Sequence, residues 1–119
     1  MAGAGVTGGV AIGPLEADAV ACVAERMRDA DRAEIFATRG NDDADAVARE
    51  TIAYARLGCV SWWDGPAGEG SSTEPVAVVC AIPLWPGVWS VGCYATDKWA
   101  HVAPATTRWI ARSLSTLVW

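Results

Sequence analysis

The side chains best suited to covalent chemistry are Cys93 and His101, which stand eight residues apart. A cysteine thiolate can accept an acyl group when a nearby base favours its ionisation, and histidine titrates near neutral pH. Both residues also have structural explanations, because cysteine packs in strands as a small hydrophobic residue and a histidine beside a helix start is typical of a capping or surface position. We expect the structural roles, and no residue is assigned a catalytic function.

The cysteine and acidic residues do not have the spacing of metal ligands. No CxxC pair occurs among the four cysteines, which are Cys22, Cys59, Cys80 and Cys93. Isolated cysteines of this kind are predicted to be free thiols in a reducing compartment. The acidic pairs at residues 29 and 31 and at residues 42 and 43 lie where helix caps are expected. The sequence therefore predicts no metal site.

Tryptophans and arginines are the other candidates for binding. Tryptophan is favoured at protein interfaces because it buries a large area and keeps one polar N–H group. Adjacent residues of a strand point to opposite faces, so Trp62 and Trp63 cannot both enter one core. We expect partner contacts at five tryptophans: Trp62, Trp63, Trp85, Trp89 and Trp119. Arg108 and Arg112 can bind a phosphate or an acidic partner, although a solvated helix face also explains them.

Length and charge favour one small domain that does not bind free nucleic acid. The 119 residues are 52% hydrophobic, and we expect a flexible glycine-rich tail at residues 1–9 before a single domain at residues 10–119. Residues 1–64 hold eleven acids against six bases, and the net charge is -5. Binding to a phosphate backbone depends on clustered lysine and arginine. The first residues also lack a secretory signal, which predicts synthesis in a cytoplasm.

Residues 75–96 contain no charged side chain and are interrupted by Pro83, Pro86 and Gly87. About 20 apolar residues can span a bilayer as a helix, but proline lacks the N–H group that a helix interior needs, and Pro-Gly is typical of turns. Residues 76–82 and 88–94 are rich in the β-branched and aromatic residues that favour strands. The run predicts two adjacent buried strands joined by a turn, and no membrane span.

Hydrophobic periodicity predicts the remaining elements. Residues 10–12 form a first strand, and three helices follow, of which the second is stopped by Gly40 and the third by Gly58. The predicted stripes are Val20, Val23, Ala24 and Met27 in the first helix, and Ala44, Val47, Ala48, Ile52 and Ala55 in the third. Residues 59–63 form a strand and residues 64–74 an exposed loop.

A last helix completes the predicted order. It has Pro104 in its first turn and one face made of Thr107, Ile110, Leu114 and Leu117. The resulting order, β-α-α-(α)-β-β-β-α, groups three strands after the first helices. The fold class is therefore α+β, with a mostly antiparallel sheet packed by helices.

Two phrases of the sequence carry a resemblance to a known family. They are Ala24-Glu25-Arg26-Met27-Arg28-Asp29-Ala30-Asp31, followed by Glu34-Ile35, and Ala81-Ile82-Pro83-Leu84-Trp85-Pro86-Gly87-Val88-Trp89. With the element order, they resemble the N-terminal part of the GNAT acyltransferase fold and, more narrowly, GNAT-like internal virion proteins of short-tailed bacteriophages. The resemblance covers residues 10–118. It implies a structural protein of the virion, assembled in the host cytoplasm, that binds other virion proteins or copies of itself.

The chain departs from an active GNAT enzyme in the segment that would hold the cofactor. In such enzymes a glycine-rich turn after the fourth strand, Q/R-x-x-G-x-G/A, wraps the acyl-CoA pyrophosphate with main-chain amides. Residues 97–104 contain no glycine, begin with Asp97 and end with Pro104, which withholds an amide. We therefore expect a catalytically degenerate fold that binds no cofactor.

The alternative is an acyl-CoA-dependent N-acetyltransferase with a non-standard cofactor site. Acetyl-CoA would then bind through the fourth strand and nearby cations, at Val91, Gly92, Cys93, Lys98, Arg108 and Arg112. A complete GNAT domain adds further strands after the last helix. We therefore expect either that the chain is C-terminally incomplete or that partner subunits cover its open apolar surface.

Overall fold

The computed structural model describes residues 9–65 and 73–117. Within this part of the chain, four strands and four helices follow one another in the predicted order. The strands are β1 (Gly9–Gly13), β2 (Leu57–Asp64), β3 (Thr73–Trp85) and β4 (Val88–Ala95), and the helices are α1 (Ala17–Glu25), α2 (Asp29–Ala37), α3 (Ala44–Tyr54) and α4 (Trp99–Leu114). The predicted α+β class is confirmed.

The strands form one antiparallel sheet in the order β1-β2-β3-β4. One face carries Val60, Val78 and Tyr94, which pack against apolar residues of α1, α2 and α3. The other face meets α4, whose buried Val102 packs with Ala77. The sheet is therefore covered by helices on both faces, while β1 and β4 form its two edges.

The uncharged run forms the β3–β4 hairpin, as predicted. Its turn contains Pro86 and Gly87, and Gly87 has a φ of +84°, in the left-handed region that glycine adopts without strain. The predicted stripe of the first helix is also buried: Val20, Val23 and Ala24 are fully buried in α1, and Met27, which lies just after the end of α1, is 4% exposed. No described helix is both long enough and apolar enough to cross a membrane.

The predicted exposed segments fall largely outside the described residues. Of the tail predicted at residues 1–9, only Gly9 is described, and it is the first residue of β1. Of the loop predicted at residues 64–74, Asp64 ends β2, while Thr73 and Glu74 begin β3. Residues 66–72 lie outside the described part.

The helix α3 begins as predicted but ends earlier. Asp43 caps it, because a carboxylate oxygen of Asp43 accepts the Ala46 N–H at 3.0 Å. The helix ends at Tyr54, and Gly58 lies inside β2 instead of stopping the helix. Gly58 is needed there for space, because a Cβ atom on it would lie 2.5 Å from the Val79 carbonyl oxygen.

The helix α4 starts earlier than predicted. It begins at Trp99, so Pro104 lies inside the helix and not in its first turn. The missing N–H of Pro104 leaves the carbonyl of Ala100 without its helical partner. Because Ala100 is exposed, water can reach this carbonyl.

Two threonines occupy core positions that the predicted stripes assign to their neighbours. The Thr51 hydroxyl lies 2.8 Å from the Tyr94 hydroxyl, and the Thr106 hydroxyl lies 2.6 Å from that of Ser61. Because each threonine hydroxyl has a hydrogen-bond partner on the sheet, both polar side chains can be buried between helix and sheet. The predicted stripes had instead placed Ile52 and Thr107 in the core, but Ile52 is 40% exposed and Thr107 is also exposed.

Replacing Gly58 by alanine should destabilise the protein. The new methyl group would meet the Val79 carbonyl oxygen at 2.5 Å and Leu15 Cδ1 at 2.6 Å, so β2, β3 or Leu15 must shift. Overpacking of this kind costs about 1–3 kcal/mol. Chemical denaturation measures the change in unfolding free energy. Gly9→Ala is the matched control, because nothing lies within 4 Å of its Cβ position. Equal effects of the two substitutions would contradict the packing at Gly58.

Candidate functional site

The outer edge of β4 carries main-chain groups that do not bond to another strand of the described sheet. Two sets of residues alternate along β4 in its register with β3. One set is Tyr94, Gly92 and Ser90, which lie opposite Val78, Cys80 and Ile82. The other set is Ala95, Cys93, Val91 and Trp89. Both main-chain groups of Ala95 bond away from β3. Its N–H donates to Asp31 in α2, and its C=O accepts from Arg28, the residue before α2. Since hydrogen-bonded and non-hydrogen-bonded pairs alternate in antiparallel sheets, the main-chain groups of Cys93, Val91 and Trp89 also point outward.

The pairing partner of Trp89 supports this assignment. Trp89 lies opposite Pro83, which has no N–H group to donate and therefore fits a pair that is not hydrogen-bonded. Within residues 9–65 and 73–117, no hydrogen bond from outside β3 reaches the main chain of Trp89, Val91 or Cys93. The outer edge of β4 is thus open over residues 89–93.

The start of α2 closes this edge at one end. The Ala95 N–H donates to Asp31 Oδ2 at 2.8 Å, and the Arg28 N–H donates to the Ala95 carbonyl at 2.9 Å. The Arg28 guanidinium binds both oxygens of Asp31, at 3.1 and 2.9 Å, and these bonds raise the pKa of Arg28. Asp31 is only 7% exposed, and its buried charge is paired with that of Arg28, whose side chain is 33% exposed. Residues 28–31 therefore bind β4 as a short neighbouring strand would.

Asp31 is the functional residue that the sequence reasoning missed. It was expected to cap α2, but the N-cap is Arg28 and no side chain caps the helix. Asp31 instead bonds to a residue 64 positions away. No local pattern indicates such a pairing. The one available signal was the Arg-x-x-Asp spacing of Arg28 and Asp31, which places the two side chains on one helix face.

The amides that follow β4 are engaged by Thr96. The Lys98 N–H donates to Thr96 Oγ1 at 3.2 Å, and the Trp99 N–H donates to the Thr96 carbonyl at 3.1 Å. The His101 N–H donates to the Lys98 carbonyl at 3.0 Å. A pyrophosphate held by GNAT-like amides would need donors in this segment. Three of the amides here already have internal acceptors.

The cations predicted to replace the phosphate loop are not brought together. Lys98 Nζ lies 2.9 Å from a Glu74 carboxylate oxygen and 5.3 Å from the Trp63 ring centroid. Arg108 and Arg112 lie on the exposed side of α4, and ten residues separate Lys98 from Arg108, which is about 15 Å along the helix axis. Of the predicted cofactor residues, Val91, Gly92 and Cys93 lie together in β4, and Arg108 and Arg112 lie one turn apart on α4.

The thiols of Cys59, Cys80 and Cys93 are protonated at neutral pH. Burial raises the pKa of Cys93 to about 11 and that of Cys59 to about 12, and it also raises the pKa of Cys80. Part of Cys93 is exposed at the sheet edge, but its thiol is surrounded by neighbours on the sheet, and the Asp31 carboxylate raises its pKa further. Cys93 is therefore a poor nucleophile.

The ring of His101 stacks on that of Trp63, with a distance of 3.9 Å between the ring centroids.

The predicted partner-binding tryptophans differ in their surroundings. Trp62 is half-buried against the core under α1 and α3, and Trp63 packs on the opposite face beside Val102. Their predicted opposite orientation is thus observed, and each packs against a core cluster of the chain. Trp89 is half-buried on β4, and Trp85, in the hairpin, is 63% exposed. Trp119 lies outside the described residues.

A surface cleft lies elsewhere, between α1 and α3. It has a volume of about 540 Å³ and is lined by Ala17, Asp18, Ala21, Asp45, Ala48, Arg49, Ile52 and Ala53. Its one arginine, Arg49, pairs with Asp45. The cleft contains none of the site residues that the sequence predicts. The open edge of β4 is therefore the candidate site.

No protein-family model matches the chain, and no curated protein or solved structure matches it. The candidate site therefore stands on its own geometry.

Replacing Asp31 by asparagine should destabilise the closed end of the edge. The substitution keeps one oxygen for the Ala95 N–H but leaves Arg28 without its anionic partner. A hydrogen bond to a charged group contributes about 1.5–3 kcal/mol, which sets the expected loss of unfolding free energy. Asp29→Asn is the control, since Asp29 is exposed in the same first turn. Chemical denaturation of the two variants measures the difference, and equal stability would contradict the role of Asp31.

Alkaline pH should destabilise the protein. Cys93, Cys59 and Tyr94 have folded-state pKa values of about 11, 12 and 12, whereas unfolded cysteine and tyrosine titrate near 8.5 and 10. The folded state therefore binds these protons more tightly, and this stability is fully present below about pH 8.5. It is lost as the pH rises through 11–12. Thermal unfolding between pH 7 and 11 should show a falling Tm, and a constant Tm would contradict the burial of these groups.

Proposed function

We propose that the protein is a structural protein of a bacteriophage particle that acts by binding other proteins, and that its binding surface is the open edge of β4 with the β3–β4 hairpin. The phage setting, in which the protein is assembled in the host cytoplasm and carried in the virion, rests on the sequence resemblance to GNAT-like internal virion proteins. The binding role rests on the geometry of β4.

The observation that carries the binding role is the open main chain at Trp89, Val91 and Cys93. An extended segment of a partner can add a strand to such an edge, with main-chain hydrogen bonds supplying affinity and side-chain contacts supplying specificity. The hairpin provides apolar contacts next to these groups, because Leu84 is 52% exposed, Trp85 63% and Val91 47%.

Trp85 and Trp89 are the tryptophans best placed to anchor a partner. Both belong to the β3–β4 hairpin, and the exposed ring of Trp85 offers a large area to be buried. Trp62 and Trp63 instead pack against the two core clusters. They lie on β2, which β3 separates from the open edge of β4.

The alternative function, acetyl transfer from acetyl-CoA, would use the same edge. The amide groups of a pantetheine chain can bond to the outward groups of Val91 and Cys93, which is the observation in its favour. Three further observations favour protein binding. Thr96 accepts the hydrogen bonds of two amides after β4, Lys98 is paired with Glu74, and the pKa of the Cys93 thiol is about 11.

Isothermal titration with acetyl-CoA separates the two functions. We expect no saturable heat from the folded chain at acetyl-CoA concentrations up to about 1 mM, since the amides of Lys98, Trp99 and His101 already have internal acceptors and Lys98 is paired with Glu74. Saturable one-to-one binding at micromolar affinity would contradict the proposal. If such binding appears, Lys98→Ala tests whether the cation contributes, with Arg26→Ala as a matched loss of charge at an exposed position after α1.

Selection from a displayed library of random peptides tests the binding role directly. We expect extended peptides whose affinity falls at least tenfold in Val91→Pro, which removes an outward N–H without removing a bond to β3. Val91→Ala is the control, because it trims the side chain and keeps that N–H. Selected peptides that bind the wild type and Val91→Pro equally would contradict the edge as the binding surface.

A further inference from the structure

The open edge of β4 is symmetric about one residue. It is closed at one end by the bonds to Ala95 and ends at the other in the turn containing Gly87. Ala95 and Gly87 are each four residues from Val91. The outward groups at Trp89 and Cys93 are likewise each two residues from it. A strand of identical sequence, running in the opposite direction, therefore meets the same pattern.

We propose that β4 pairs with β4 of a second copy, antiparallel, across a two-fold axis at Val91. Val91 then lies opposite Val91 of the other copy, and Trp89 lies opposite Cys93 in two equivalent pairs. The two residues of a hydrogen-bonded pair in an antiparallel sheet exchange two hydrogen bonds, so these three pairs of outward-facing residues supply six. The inference rests on the proposed function, because it assigns a partner to the same edge.

The side chains of the two copies are compatible in this register. On one face the large Trp89 meets the small Cys93, and on the other Ser90 meets Gly92. No residue of β4 carries a charge, so the two-fold axis brings no like charges together. Edge strands are commonly protected from pairing by lysine, proline or a bulge. The open residues 89–93 have no such protection.

The hairpin extends the contact beyond the strands. In this arrangement the tip of one hairpin, at residues 85–88, lies beside residues 28–31 of the other copy. A strand pair alone is smaller than the roughly 1,600 Å² of a standard stable interface. The exposed Leu84 and Trp85 therefore contribute area at both ends of the dimer. The two sheets become one continuous sheet of eight strands.

Sedimentation equilibrium tests the pairing. We expect the wild type to have twice the 12.4 kDa mass of one chain at high micromolar concentration. Val91→Lys should raise the dimer dissociation constant at least tenfold, because the two lysines face each other across the axis. Val91→Thr is the control, since threonine is β-branched, uncharged and similar in size. Circular dichroism of each variant confirms folding.

Disulfide formation tests the register without depending on the lysine variant. Facing hydrogen-bonded residues have Cα atoms about 5.5 Å apart, which a disulfide can span. Val91→Cys in a Cys93→Ser background should therefore give a covalent dimer under mild oxidation. Ser90→Cys in the same background is the control and should not, because residue 90 faces residue 92 of the other copy. The native Cys93 residues lie about 14 Å apart along the strands and should not link either.

The outcomes separate this inference from the proposed function. A folded wild type that stays monomeric, equal dimerisation of Val91→Lys and Val91→Thr, or no covalent dimer of Val91→Cys would each overturn self-pairing. Peptide binding at the same edge would then leave the proposed function standing. Saturable acetyl-CoA binding would instead overturn the proposed function, whatever the mass of the chain.

Discussion

The bond between the Asp31 carboxylate and the Ala95 N–H joins the helical layer to the edge of the sheet. Asp31 is buried and also holds Arg28, whose own main-chain N–H bonds back to Ala95. A buried charge is stable only when it is paired and hydrogen-bonded, so this cluster fixes the position of α2. The Ala95 groups that it binds belong to the alternating set of β4 main-chain groups that face away from β3.

The alternation of inward-facing and outward-facing main-chain groups along β4 explains how the chain can form a binding site without a recognisable sequence motif. Main-chain groups are the same at every position, so an open edge requires only that neighbouring elements leave it uncovered. In β4 the turn at Gly87 and the bonds at Ala95 set the ends of the open segment. The side chains between them need only be uncharged and able to face a partner.

Much of the fold could be predicted from local patterns, whereas the site could not. The stripe of α1 and the Pro-Gly turn of the hairpin depend on near neighbours, and both predictions are confirmed. Thr51 and Thr106 are buried because of hydroxyl partners more than 40 residues away. The role of Asp31 likewise depends on a distant strand. Periodicity ranks residues by their own hydrophobicity and therefore misses polar groups that tertiary partners allow into the core.

Residue-resolved amide hydrogen exchange along β4, at low and high chain concentration, tests the account most directly. At low concentration it predicts protection at Ser90, Gly92 and Tyr94, whose groups face β3, and fast exchange at Trp89, Val91 and Cys93. At high concentration all six amides should be protected. Trp89, Val91 and Cys93 amides that exchange at the same rate at both concentrations would contradict an edge that binds its own copy. Protection of these amides at low concentration would contradict an open edge.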